Sequence, residues 1–154
     1  MVGRTNAGGG GGGGGGATEP YIEETYNPDG KLIDVRLYGY DKIRDYAFYN
    51  CVNLALTSLP SGITSIGTYA FYGCTGLALT SLPSGITSIG RNAFGECTGL
   101  TSITFTGTPT SIGSRAFSSC TNLRTINVPW ANGAVADAPW GATNATIHYN
   151  YTGA

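Results

Sequence analysis

The chain has 154 residues, a formal net charge of −1 and 11% charged residues, the size of one domain with a tail. It carries no basic surface to neutralise phosphates, which excludes nucleic acid as a natural partner. No apolar run approaches the ~20 residues of a membrane-spanning helix, and the Met1 end lacks the charged-then-apolar order of a secretory signal.

Residues 1–19 read as a flexible glycine-rich tail or linker, because Gly8 to Gly16 is unbroken glycine. Such a run has no side chain to bury and the largest backbone entropy to lose. A multi-chain glycine bundle is the other reading of that run. The folded domain is expected over residues 20–154. It opens on a capping hairpin at about 20–38, in which Tyr21–Tyr26 and Leu32–Leu37 flank the turn Asn27-Pro28-Asp29-Gly30. Most charges lie before residue 46, and from Tyr46 to Arg124 only Arg91, Glu96, Arg115 and Arg124 are charged.

From residue 45 onward one phrase recurs every 23 residues: Asp45-Tyr-Ala-Phe-Tyr-Asn-Cys51, Thr68-Tyr-Ala-Phe-Tyr-Gly-Cys74, Arg91-Asn-Ala-Phe-Gly-Glu-Cys97 and Ser114-Arg-Ala-Phe-Ser-Ser-Cys120. A fixed period of this length predicts a solenoid, whose coils bury their apolar sides only against each other. Phe48, Phe71, Phe94 and Phe117 then form one structural ladder, and Cys51, Cys74, Cys97 and Cys120 another. A straight column of thiols cannot converge on a tetrahedral metal, and parallel side chains disfavour a disulfide. Buried reduced cysteine is therefore the expected state, with disulfides between neighbouring coils as the alternative.

Each coil continues with an apolar strand, read at Leu100–Phe105 and Leu123–Val128, whose inward positions resemble those of a leucine-rich-repeat strand. Turns follow at Pro60-Ser61-Gly62, Pro83-Ser84-Gly85 and Thr106–Pro109. Ile-Thr-Ser-Ile-Gly at 63–67 and 86–90 supplies two more inward residues and a glycine turn. The Ala-Phe-x-x-Cys segment closes the coil as a tight bend or one helical turn, too short to stand without stacking. At 54–59 and 77–82 the fourth strand position is Thr57 or Thr80. Either threonine points inward, or the strand slips and Leu56 and Leu79 fill the core. Trp140 falls 23 residues after Phe117, so a degenerate coil and capping strand are expected at about 129–151.

The phrase Ser-Ile-Gly-x-x-Ala-Phe-x-x-Cys-Thr-x-Leu, at 88–100 and 111–123, resembles the BspA-like leucine-rich repeats of bacterial and some protozoan surface proteins. The resemblance runs from about Leu32 to Ala142. It implies a right-handed leucine-rich-repeat coil with a short parallel β-sheet and an irregular or one-turn helical convex side. It also implies adhesion to host or bacterial surfaces. The glycine run and the segment Ala138 to Ile147 are similar to repeat proteins encoded in prophages of gut Firmicutes.

Enzyme chemistry is not expected, nor a cofactor, metal or catalytic residue. His148 is the single histidine, Asp29, Asp34, Asp41 and Asp45 lie among basic residues, and no nucleophile elbow or phosphate loop is present. Binding has two candidate faces. One is the outward side of the strands, with Asp34, Arg36, Ser58, Ser81, Thr101, Ser102, Thr104, Arg124, Thr125 and Asn127. The other is a tyrosine patch of Tyr46, Tyr49, Tyr69 and Tyr72, with Tyr38 and Tyr40 nearby, since tyrosine joins a flat apolar ring to a hydroxyl.

These features predict a non-enzymatic module that binds a surface protein or glycan, on a cell surface or a phage particle. Without an export signal it would be cytoplasmic before assembly, and its tail would join it to a larger assembly. A spacer or decoration domain without ligand is the alternative. A third reading is the accessory domain of a secreted enzyme. Residues 54–67 and 77–90 are identical, and identical coils suit a spacer or a repetitive ligand.

Overall fold

The structure is a computed structural model that describes residues 2–5 and 19–153. Gly8–Gly16, read above as a linker, lies outside them. Strand β2 (Tyr21–Tyr26) pairs antiparallel with β3 (Leu32–Tyr38) across the Asn27–Gly30 turn. Asn27 Oδ1 accepts from the amides of Asp29 and Lys31, which closes that turn. Strand β1 (Val2–Thr5), in the segment read as tail, pairs antiparallel with the other edge of β2.

The repeats stack in parallel and in register. The predicted strands at 100–105 and 123–128 appear as β8 (Ser102–Phe105) and β10 (Thr125–Asn127). They join β6 (Ser81–Leu82) and β11 (Thr146–His148) in a parallel sheet of order β11-β10-β8-β6. A second parallel sheet is built from the short Ile-containing segments. It runs β4 (Lys42–Ile43), β5 (Ser65–Ile66), β7 (Ser88–Ile89) and β9 (Ser111–Ile112). Thr64, Thr87 and Thr110 extend it, each amide donating to the coil before at 2.7–2.8 Å.

The register left open at 54–59 and 77–82 is settled by burial. Leu56 and Leu79 fill the core while Thr57 and Thr80 are exposed. Burying a leucine gains roughly 1.5–3 kcal/mol, whereas an inward threonine would bury a hydroxyl needing a partner.

The Ala-Phe-x-x-Cys bend is irregular rather than helical. Its amides alternate between two kinds of partner. Tyr46, Phe48 and Asn50 donate to Thr68, Ala70 and Tyr72 of the next coil, at 2.9, 2.7 and 2.7 Å. Ala47, Tyr49 and Cys51 donate to carbonyls three residues back within their own coil. These six amides thus gain partners without a helix. The alternation requires left-handed backbone at Tyr46, Tyr69 and Asn92, and again at Asn50, Gly73, Glu96 and Ser119.

Inside the coil, Phe48, Phe71, Phe94 and Phe117 stack with centroids 5.3–5.4 Å apart. The four cysteines are free. The thiols of Cys74, Cys97 and Cys120 each donate to a phenylalanine carbonyl of the coil before, Phe48, Phe71 and Phe94, at 2.9–3.1 Å. The last coil replaces the phenylalanine with fully buried Trp140, whose Nε1 donates to Ala136 at 2.8 Å. Trp130 and Phe105 pack edge to face there and close the core.

Candidate functional site

Two slots of the bend point away from the core, the residue before the alanine and the residue after the phenylalanine. In the first two coils both slots hold tyrosine, so the 23-residue register stacks them in pairs. Tyr46 lies over Tyr69 at 5.2 Å and 7°, and Tyr49 over Tyr72 at 5.4 Å and 10°. Within each coil the rings are tilted, Tyr46 to Tyr49 at 5.5 Å and Tyr69 to Tyr72 at 5.1 Å. The result is a two-by-two grid of rings. Tyr46 is 55% exposed and Tyr49 43%, and Val52, three residues beyond Tyr49, is 49% exposed. Large apolar side chains this open, and contiguous, mark interaction surfaces more often than scattered ones do.

The third coil ends the grid. Gly95 occupies the slot below Tyr72, and a methyl group there would come within 2.7 Å of the Tyr72 ring. Tyr72 therefore settles onto glycine backbone, and its hydroxyl donates to Glu96 Oε1 at 2.7 Å. This bond to a carboxylate pushes the phenol up to about 12, because ionising it would break the bond and set two negative charges together. The buried Asn92 fills the slot below Tyr69. In the sequence Gly95 already stands as the small residue that ends the slot of Tyr49 and Tyr72, and Glu96 as one of four charges between Tyr46 and Arg124; the bond between Glu96 and Tyr72 was not read there.

The structure divides the predicted tyrosines. Tyr46, Tyr49, Tyr69 and Tyr72 form the grid, but Tyr38 stacks on Tyr21 at 4.5 Å across the β2–β3 hairpin. Its hydroxyl donates to Glu23 at 3.3 Å. Tyr40 packs against the core, and its hydroxyl is buried without a hydrogen-bond partner among the described residues. It lines a 230 Å³ cleft with Ile22, Leu37, Ile43 and Phe48 at the open end of the coil stack.

The strand face also differs from expectation at one residue. Asn127, read as outward, is 8% exposed and donates its amide to Thr104 Oγ1 at 3.1 Å. The parallel register sets Asn127 beside Thr104 and draws the two side chains together, which corrects its assignment as an open binding residue. Arg124 is exposed, but its guanidinium donates to the Thr121 carbonyl at 2.7 Å. Arg36 is exposed on β3 and, with Asp34, lines a separate cleft. His148 lies exposed on β11. Among the described residues no group of three or more His, Cys, Asp and Glu side chains is placed to hold a metal, and no helix is long and apolar enough to cross a membrane.

The same repeats are recognisable in known proteins. Residues 41–136 match the BspA type leucine rich repeat region in six copies. A leucine-rich repeat protein from Bacteroides ovatus superposes with a TM-score of 0.69 at 30% identity, over 80% of this chain and 31% of that one. A leucine rich cell surface protein from Faecalibacterium prausnitzii superposes at 0.50 with 25% identity, over 83% and 41%. The chain thus spans well under half the length of either protein. No curated protein sequence is significantly similar to it. A 23-residue period, coils stacked in register and a matched repeat over most of the folded part agree, and the chain belongs to the BspA type leucine-rich repeat family.

Proposed function

We propose that this chain is a non-enzymatic recognition module that binds a surface protein or glycan through the grid of Tyr46, Tyr49, Tyr69 and Tyr72. The exposure of stacked rings carries this reading. Four coplanar-paired rings on a rigid backbone offer flat apolar area with little side-chain entropy left to lose, as binding surfaces favour. The family supports a protein-binding or surface role, and the Faecalibacterium relative is a cell surface protein. On this reading the module acts on a cell surface or a virion.

Treating intact bacterial and epithelial cells separately with protease and with periodate divides the ligand classes. Saturable binding of the full chain that protease abolishes identifies a surface protein, and binding that periodate abolishes identifies a glycan. Absence of saturable binding to either cell type would refute the module as an adhesin. The identity of residues 54–67 and 77–90 favours a second reading, a spacer whose coils set distance and carry no ligand.

A further inference from the structure

Strand β3 has a free edge that faces the first coil. The two run together at only one point, where the Ala55 amide donates to the Ile33 carbonyl at 2.8 Å. Beyond it they part, and a cleft of 430 Å³ opens between residues 34–38 and 56–60. A strand turns successive residues to opposite edges. With the Ile33 carbonyl directed at the coil, the Asp34 amide turns toward β2, and the main-chain groups of Val35 and Leu37 turn toward the cleft. Across from them, residues 57–59 make no main-chain hydrogen bond among the described residues. Both walls of the cleft are therefore unpaired backbone.

We propose that this cleft accepts one extended peptide strand from another protein, inserted between β3 and the first coil. Backbone on both walls calls for a ligand whose donors and acceptors alternate along both of its edges at the spacing of a β-ladder, which an extended polypeptide supplies and the irregularly spaced hydroxyls of a glycan do not. At ~3.3 Å rise, ~4.8 Å strand spacing and ~10 Å sheet thickness, a strand residue fills on the order of 160 Å³, so 430 Å³ seats about three residues. The lining fixes the pattern of the peptide. Val35, Leu37, Leu56 and Leu59 contribute to the core on one side, while Asp34 and Arg36 stand two residues apart with opposite charges on the other. The complement is an alternating strand with apolar residues inward, and a basic and an acidic residue outward. This site is separate from the tyrosine grid and does not rest on it.

The probe is a synthetic octapeptide of valine alternating with lysine and glutamate, with a twin N-methylated at every second residue. Hydrogen exchange on the full chain reads the site directly. The parent peptide is expected to slow exchange at Val35, Leu37 and Thr57 by tenfold or more, and the N-methylated twin to leave it unchanged. An Arg36→Glu variant should weaken the parent peptide severalfold and leave thermal unfolding unchanged. Three results would overturn the proposal: no protection at millimolar peptide, equal protection by the N-methylated twin, or protection already complete without peptide. Protection that grows with protein concentration alone would replace the foreign peptide with a second copy of this chain.

Discussion

At the scale of single residues, the tyrosine grid depends on what lies beneath it. Tyr72 is held by Gly95 below and Glu96 beside it, so its phenol should ionise above the ordinary tyrosine range. Ultraviolet titration of the native protein should show a phenol that ionises near pH 12, and Glu96→Gln should bring it down toward the ordinary tyrosine range. An unchanged titration in the variant would mean that the carboxylate does not hold the ring. The four grid tyrosines were legible in the sequence because equivalent slots stack whenever the period holds. Tyr38 and Tyr40 were not, since they lie before the first full repeat and the hairpin decides their neighbours. Asn127 was misplaced for a related reason. Alternation along one strand says which side a residue leaves from, and not that Thr104 waits 3.1 Å away to capture it.

At the scale of elements, coils hold together through close backbone approach. A methyl group at Gly90 would lie 2.5 Å from the Thr68 nitrogen and 2.8 Å from its Cα, whereas at Gly85 its nearest neighbours are 3.8 Å away. Gly90→Ala should therefore destabilise the fold by about 1–3 kcal/mol through overpacking, and Gly85→Ala should stay within ~0.5 kcal/mol. Denaturant unfolding compares the two, and equal midpoints would contradict the packing account. The recurring glycine was visible in the sequence as a turn. The ladders of Thr64, Thr87 and Thr110 and of Ser65, Ser88 and Ser111 also read as hydrogen bonding between coils, which the second parallel sheet bears out; the tight contact of the glycine was not visible, nor was the strand character of a two-residue Ser-Ile segment with no alternation to read.

The cysteine column makes a second element-scale case. Burial pushes the thiols of Cys74 and Cys120 up to about 12 and that of Cys97 higher, while Cys51 is only half-buried. A water-soluble thiol reagent at pH 8 should label one cysteine of the native chain and all four in urea; rapid native labelling of all four would show an open stack. Alkaline pH acts through the same groups. Unfolded thiols lose their protons from about pH 9 while the folded ones keep theirs, so the unfolded state binds fewer protons there. Stability is thus intact below pH 9 and falls as pH rises toward 12, by up to ~1.4 kcal/mol per pH unit for each buried thiol.

At the scale of the whole molecule, the stack is polarised. Its C-terminal end is closed by Trp130, Trp140 and Phe105. Its N-terminal end carries the exposed rings, the charged hairpin and both clefts. The solenoid and its core were legible almost entirely, because one inward pattern repeated in register specifies its own neighbours. The cleft beside β3 was not legible, since it arises where the hairpin and the first coil fail to pair and no single segment records that. A module used for recognition should concentrate its affinity at the N-terminal end and leave the remaining coils to stability.

The most direct measurement is a binding isotherm on intact cells for the full chain and for a Tyr46→Ala, Tyr49→Ala variant, each paired with its thermal unfolding curve. Neither ring is part of the buried core, so the unfolding midpoints should agree within a few degrees. The account predicts at least tenfold weaker binding in the variant. Equal binding by two equally stable proteins would contradict it and leave the tyrosine grid as surface covering alone.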